Sequence, residues 1–222
     1  MDNVQYALDI VRYRLFGIVP EVETTAWGDA EGRRRDILRS AEKLLAESGY
    51  GGLTMRAIAV GAGVSSGTVY QYFDGKEDVF VALMAARLDD VRVCMDELPR
   101  DVGIAGVLAT LLPQVQEIWR LYGRSAQQWQ SKVLAGGPRG KRAVTSATVF
   151  RRMAKSLEAA LRETAAAEGR TLAAHPAMAY WVWDSLIGVA DDLVHGGSRQ
   201  ARIPTANLIQ FATEAIERGI VA

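Results

Sequence analysis

Apolar residues recur every three to four positions over most of this chain, with polar residues filling the gaps. Val4, Leu8, Val11 and Leu15 make one such stripe over 4–16, and 17–30 (GIVPEVETTAWGDA) reads as a linker behind it. The spacing of Ile37, Ala41, Leu44 and Leu45 predicts a helix over 33–48, stopped at Gly49. Two short helices follow. One covers 55–62 behind a Thr54 cap, and the other starts at Ser65 or Ser66 and ends near Phe73, with Gly63-Val64 as the tight turn between them. Asp74-Gly75 is a second turn, a long helix covers 76–97, and Pro99 closes the region. The second half continues in helical period: 103–122 through Leu108, Leu111, Leu112, Val115, Ile118 and Trp119, then 124–135, stopped at Gly136-Gly137-Pro138 within the same domain. A long helix over 141–168 carries Phe150, Met153, Leu157 and Leu161. Pro176 sits in the first turn of a helix over 176–195, Gly196-Gly197 breaks it, and Pro204 opens the last helix, 204–218. The expected fold class is all-α.

Composition narrows what such a chain can be. With 222 residues it suffices for one or two domains, and its 49% apolar content argues against global disorder. No apolar run approaches the roughly 18 residues of a spanning helix, and Asp9, Arg12 and Arg14 interrupt any secretory core at the N-terminus. The single cysteine, Cys94, excludes an intrachain disulfide and fits a reducing cytoplasm. A net charge of +0 argues against a basic body that wraps nucleic acid. It leaves room for a small DNA-reading face, because counterion release depends on the local cations that meet phosphates. His175 and His195 are the two imidazoles, and no nucleophile elbow, phosphate loop or metal-spaced cluster appears, so no enzyme, cofactor or metal is expected. Asp191 and His195, four apart, read as a helix-end charge pair rather than a metal site.

Two short helices around a glycine turn, behind one longer helix, make a helix-turn-helix unit. The stretch 33–84 (RRRDILRSAEKLLAESGYGGLTMRAIAVGAGVSSGTVYQYFDGKEDVFVALM) resembles the DNA-binding domain of the tetracycline-repressor (TetR) family at nearly every marked position. The marks include Ile37, Ala41, Leu44, Gly49, Thr54, Ile58, Ala59, Ala62, Gly63, Val64, Ser65, Gly67, Thr68, Tyr70, Tyr72, Phe73, Lys76 and Val79. Gly51-Gly52 loosens the connection before Thr54, and Asp74-Gly75 replaces the Pro-Ser-like pair often seen there; neither departure removes a contact group. The resemblance covers the DNA-binding third, and the remainder agrees only in length and helical character. It implies three parts: an N-terminal extension (1–29), a DNA-binding domain (30–78) and a helical ligand-binding and dimerisation domain (79–222). The extension reads equally as a helix packed on its own body or as an arm near DNA.

On this reading the second short helix enters the major groove. Ser65, Ser66, Gly67 and Thr68 are small, which lets backbone and hydroxyls approach base edges. Gly67 is either needed for that approach or only relieves crowding at the helix start. Tyr70 is implied as a phosphate contact; Tyr72 is a phosphate contact or packs between helices; Gln71 faces outward toward base or phosphate. Lys76 and the free amides of its helix attract a phosphate, unless the lysine is simply solvated. Thr54 caps its helix and could meet a phosphate as well, and Arg56 either grips a guanine or pairs with a surface carboxylate. Arg33, Arg34 and Arg35 give a basic entry to the first helix that either tracks the DNA backbone or is simply solvated.

One such unit reads only a half-site, so a two-fold homodimer on a palindromic operator is implied. The last two helices would form it, with Trp183, Ile187, Val194, Leu208, Phe211, Ala212 and Ala215 as candidates. A small, largely apolar effector would bind among the middle helices, near Trp119, Tyr122, Trp129, Phe150, Met153, Tyr180 and Trp181, although ordinary core packing explains each of these residues as well. Asp184, in an apolar window, would orient that ligand or bond a tryptophan indole. The helix 76–97 would couple the two functions, its start at the DNA and its later turns (Leu83, Leu88, Val91) against the ligand domain. The expected function is a DNA-binding transcription regulator, most readily a repressor; the alternative is a ligand- or partner-binding helical module without operator binding.

Overall fold

The computed structural model describes residues 30–134 and 141–222, with side chains for 30–123, 125 and 148–222. The readings made for 1–29, Trp129 and the break at 136–140 lie outside the described residues. Among the described residues the fold is all-α, with one isolated bridge between Leu172 and Val221. The helices are α1 (Ala30–Gly52), α2 (Met55–Gly61), α3 (Ser66–Tyr72), α4 (Lys76–Glu97), α5 (Gly103–Leu134), α6 (Lys141–Ala167), α7 (Met178–His195), α8 (Gly197–Gln200) and α9 (Thr205–Ile220). None is long and apolar enough to cross a membrane.

The chain divides into two compact units. The first takes in 30–87 and, of the described residues, 125–134 and 141–146; the second takes in 88–124 and 147–222. In the first unit, α1 buries Ile37, Ala41 and Leu45 on one stripe. Gly49 leaves helical geometry at φ 63°, where the sequence predicts a stop, but the chain resumes helix to Gly52. α1 and α2 approach closely at one point. The Ser40 hydroxyl donates to the Ile58 carbonyl at 2.9 Å, and a Cβ added to Gly61 would lie 2.3 Å from that hydroxyl oxygen. The first turns of α4 belong to this unit too. Phe80, fully buried, takes the edge of the Tyr50 ring at 5.1 Å, and Arg87 Nε donates to Glu42 at 3.0 Å. The division therefore falls between Arg87 and Leu88, later than the 78/79 boundary read from the sequence. Leu83, expected against the ligand domain, is buried in the first unit, whereas Leu88 and Val91 join the core of the second.

That second core gathers apolar stripes from α4 to α7 and α9, with Met95, Leu111, Leu157, Val182 and Ile220 each at most 1% exposed. Two predicted segments, 103–122 and 124–135, are one helix, α5. Gly123 does not break it, because the Trp119 ring occupies its missing side chain's place; an added Cβ would sit 2.8 Å from the ring. α7 starts at Met178 rather than in a turn holding Pro176, since the His175 ring accepts the Ala177 amide at 3.1 Å and shapes the chain before the helix. Beyond Gly196, at φ 78°, the predicted break holds the short α8, tied back by the Asp192 carboxylate to the Ser198 amide (2.6 Å) and hydroxyl (2.5 Å).

Because Ser40 leaves no space over Gly61, Gly61→Val is expected to destabilise the chain by about 1–3 kcal/mol, as overpacked cores do. Urea unfolding monitored by circular dichroism reads the loss; an unchanged midpoint would mean that α1 and α2 do not approach this closely.

Candidate nucleic-acid interface

The α2–α3 unit is built from caps and one glycine turn. The Thr54 hydroxyl oxygen accepts the Ala57 amide at 3.1 Å and starts α2. α2 ends in two crossed bonds, Val64 N–H to Ala59 O (3.0 Å) and Gly63 N–H to Val60 O (3.2 Å), with Gly63 at φ 66°. These are the bonds of a Schellman turn, whose left-handed residue is most easily glycine. Of the two candidate caps for α3, Ser65 is the one used. Its Oγ accepts the Thr68 amide at 3.0 Å and lies 2.9 Å from the Thr68 hydroxyl.

α3 is fixed on one side and open on the other. Val69 (0% exposed) and Phe73 (5%) point inward. Gly67, Tyr70 and Gln71 are exposed, and Ser66, Thr68 and Tyr72 are half-buried. Gly67 has no internal reason to be glycine. Its φ is not positive, and an added Cβ would meet only the Ser65 hydroxyl at an ordinary 3.6 Å. Crowding by the side chains around it therefore does not account for this glycine.

The flanking cations are held in different ways. Arg56 is exposed and forms no ion pair among the described residues, so the surface pair that could have explained it is not made. Arg34 lies over the Phe73 ring at 5.3 Å, and Arg39 pairs with Asp36 at 3.3 Å. Lys76, first residue of α4, places Nζ 4.4 Å from the centre of the Tyr50 ring rather than free in solvent. Tyr50 in turn donates its hydroxyl to Glu77 at 3.3 Å. Burial first, then the Glu77 charge and that hydrogen bond, push the Tyr50 phenol up to about 12. Neither Tyr50 nor Ser40 was singled out from the sequence. Each acts through a partner far along the chain, which spacing does not display.

In the second unit the described effector candidates differ in burial. Tyr122 (1%) and Met153 (0%) are closed into the core. Phe150, half-buried, packs on Tyr180 at 5.5 Å and on Trp183 at 6.1 Å. Tyr180 and Trp181 are exposed, and Trp181 lies against Gly219 of α9. Asp184 is also exposed; the carboxylate that takes a tryptophan indole is Asp191, which accepts Trp119 Nε1 at 2.6 Å. Asp191 also meets His195 at 2.9 Å, the helix-end pair read from the sequence. A concavity of about 350 Å³ lies between α5, α7 and α9, with Leu108, Leu112, Leu186 and Ile216 as its floor and Ala105, Ala109 and Ala212 leaving the space. Of the predicted interface residues, Trp183 is 4% exposed within its own chain's core. Phe211 is 67% exposed, and Ile187, Val194, Leu208, Ala212 and Ala215 are half-buried.

Comparison with known proteins adds the following. Residues 37–83 match the family described as "Bacterial regulatory proteins, tetR family". The HTH-type transcriptional repressor AcnR of Corynebacterium diphtheriae is 38% identical over 80 residues, 36% of this chain and 40% of AcnR. The chain thus spans about two fifths of the length of that relative. A transcriptional regulator from Rhodococcus sp. Rha1 shares the fold, with TM-score 0.60 at 19% identity over 84% of this chain and 97% of that one. The regulator FadR of Bacillus subtilis, solved in complex with stearoyl-CoA, aligns at TM-score 0.50 and 19% identity over 82% of this chain and 95% of its own.

Thr54→Ala and Ser65→Ala are each expected to cost about 1 kcal/mol of stability through loss of a helix cap. Gly67→Ala should cost none, and the better helix propensity of alanine favours a small gain. Urea titrations of the three variants check this; a destabilised Gly67→Ala chain would return Gly67 to a packing role.

Proposed function

We infer that the chain, whose residues 37–83 match the tetR family of bacterial regulatory proteins, is a transcription regulator that binds duplex DNA through α3. The observation that carries this reading is the open face of α3, whose small first turn includes a glycine that the chain's own packing does not require. With α3 in the major groove, Ser66 and Thr68 present hydroxyls to base edges, and Gly67 lets the backbone come close. Gln71 reaches a base or phosphate beside them, and the Ser65 cap fixes the turn that delivers them. Tyr70 and Tyr72 offer phenols to phosphates, and Lys76 and Thr54 bring phosphates to the starts of α4 and α2. Arg56, without an internal partner, is available to a guanine or a phosphate.

Two copies acting on a palindromic operator supply the affinity one half-site lacks. The α7 and α9 helices are the proposed seam, with Phe211 as its most exposed apolar side chain. Repression is the mode, in keeping with the name of the AcnR relative, and the cytoplasm is the place. A small, largely apolar effector binds the second unit and releases the DNA; the stearoyl-CoA complex of the FadR neighbour supports binding of a ligand that has an apolar part. α4 is one unbroken helix with residues in both units, so a ligand that favours one setting of it can change the spacing of two recognition helices. Such coupling is typically about 1–3 kcal/mol and is reciprocal between ligand and DNA.

The direct test is titration of the full chain with the promoter region of its own gene across a salt series. Binding should weaken linearly in log K against log salt, and Lys76→Ala should remove about 0.9 from the slope for each chain bound. Gly67→Ala should reduce affinity for the operator while leaving the fold intact. Binding that ignores salt would leave a helical binding module without an operator, and Gly67→Ala that matches the wild type would refute close backbone approach at Gly67. Sedimentation should show a dimer at micromolar concentration and a shift toward monomer for Phe211→Glu, since a charge would enter an apolar seam; a wild-type monomer would refute the two-fold arrangement.

A further inference from the structure

We propose that Tyr50 is a positioning residue for DNA binding: its ring holds the Lys76 ammonium while its hydroxyl keeps the Glu77 carboxylate from pairing with that ammonium. The proposal rests on the reading of Lys76 as a phosphate ligand. The difficulty it resolves is local. α4 opens Lys-Glu-Asp, so two carboxylates share its first turn with the lysine. Carboxylates there suit the helix dipole, but either could pair with the lysine and cancel the charge a phosphate needs.

Each carboxylate is engaged elsewhere. Asp78 accepts the Asp74 amide at 2.9 Å, and Glu77 accepts the Tyr50 hydroxyl at 3.3 Å. A tyrosine phenol holds its proton at neutral pH, and burial and the Glu77 charge push its pKa further up, to about 12. Lys76 forms no ion pair among the described residues; its Nζ stands 4.4 Å from the Tyr50 ring centre. The ring is anchored by its edge contact with the fully buried Phe80. An aromatic ring attracts an ammonium through its quadrupole without carrying an opposite charge. The lysine is therefore ordered and still a full unit positive, so less of its side-chain freedom remains to be lost on meeting a phosphate.

The test uses the full chain and the operator duplex that the wild type binds. Tyr50→Phe removes the hydroxyl and keeps the ring; pentafluorophenylalanine at position 50 keeps the shape of that ring and reverses its quadrupole. Tyr50→Phe should weaken binding by a factor of about two to five, the range of an exposed ion pair now free to form, and Glu77→Gln should rescue it. The fluorinated ring should lower affinity by a further factor of about two to five relative to Tyr50→Phe, the range of an exposed cation–π contact. In a Lys76→Ala background both differences should vanish, which no general loss of stability would produce. Equal binding by the phenyl and fluorophenyl chains, or losses that persist without Lys76, would overturn the proposal. A wild type with no salt-dependent DNA binding would instead overturn the DNA-binding reading on which it rests.

Discussion

Two helices of seven residues carry the candidate DNA face, and helices that short do not hold together in water by themselves. Their geometry is borrowed from what they touch. α2 is fastened to α1 where the Ser40 hydroxyl meets the Ile58 carbonyl and Gly61 admits the contact. α3 is fastened by Val69 and Phe73 and set in direction by the Gly63 turn and the Ser65 cap. The outward side chains of α3 are therefore placed by atoms that never reach a ligand, and a loss of packing beneath them would act as a loss of recognition. The same dependence explains why the first turns of α4 group with the small unit: Phe80 and Arg87 reach back to Tyr50 and Glu42 of α1.

Charge is handled with similar economy in a chain whose formal sum is +0. Arg34 and Lys76 lie over aromatic rings, which order a cation and leave its charge intact. Arg92, by contrast, sits between Asp89 and Asp96 in the second unit, where an ion network serves the helix surface. Near the candidate interface, then, two cations keep their field for an external anion, while elsewhere cations spend it on neighbouring carboxylates. Local arrangement, not the total, decides whether a neutral protein can meet a phosphate backbone.

In the second unit several of the described aromatic residues serve packing. Tryptophan, tyrosine and phenylalanine clustered over 119–183 suggest a ligand cage, yet Tyr122 and Trp183 fill the core, Trp119 is tied to Asp191, and Trp181 lies out against α9. One concavity among the described residues lies where small residues stand, at Ala105, Ala109 and Ala212. A large side chain tends to occupy space, and a cavity forms where its neighbours are short.

The sequence by itself determined the helical class, the bounds of α2, α3 and α4 to within a residue, the cap at Thr54 and the turn at Gly63. All of these follow from periodicity, capping and turn chemistry, which act over a few residues. It also carried the family resemblance, because the marks of that domain are local in spacing. What it left open were the questions settled by a distant partner: whether Lys76 stood free and which carboxylate took the tryptophan indole. The tertiary structure decided these, since the answers depend on Tyr50 and Asp191 being brought alongside. Contacts within a helix turn are written in the order of residues, whereas contacts across 26 positions, such as Tyr50 with Lys76, exist only once packing has closed the chain between them.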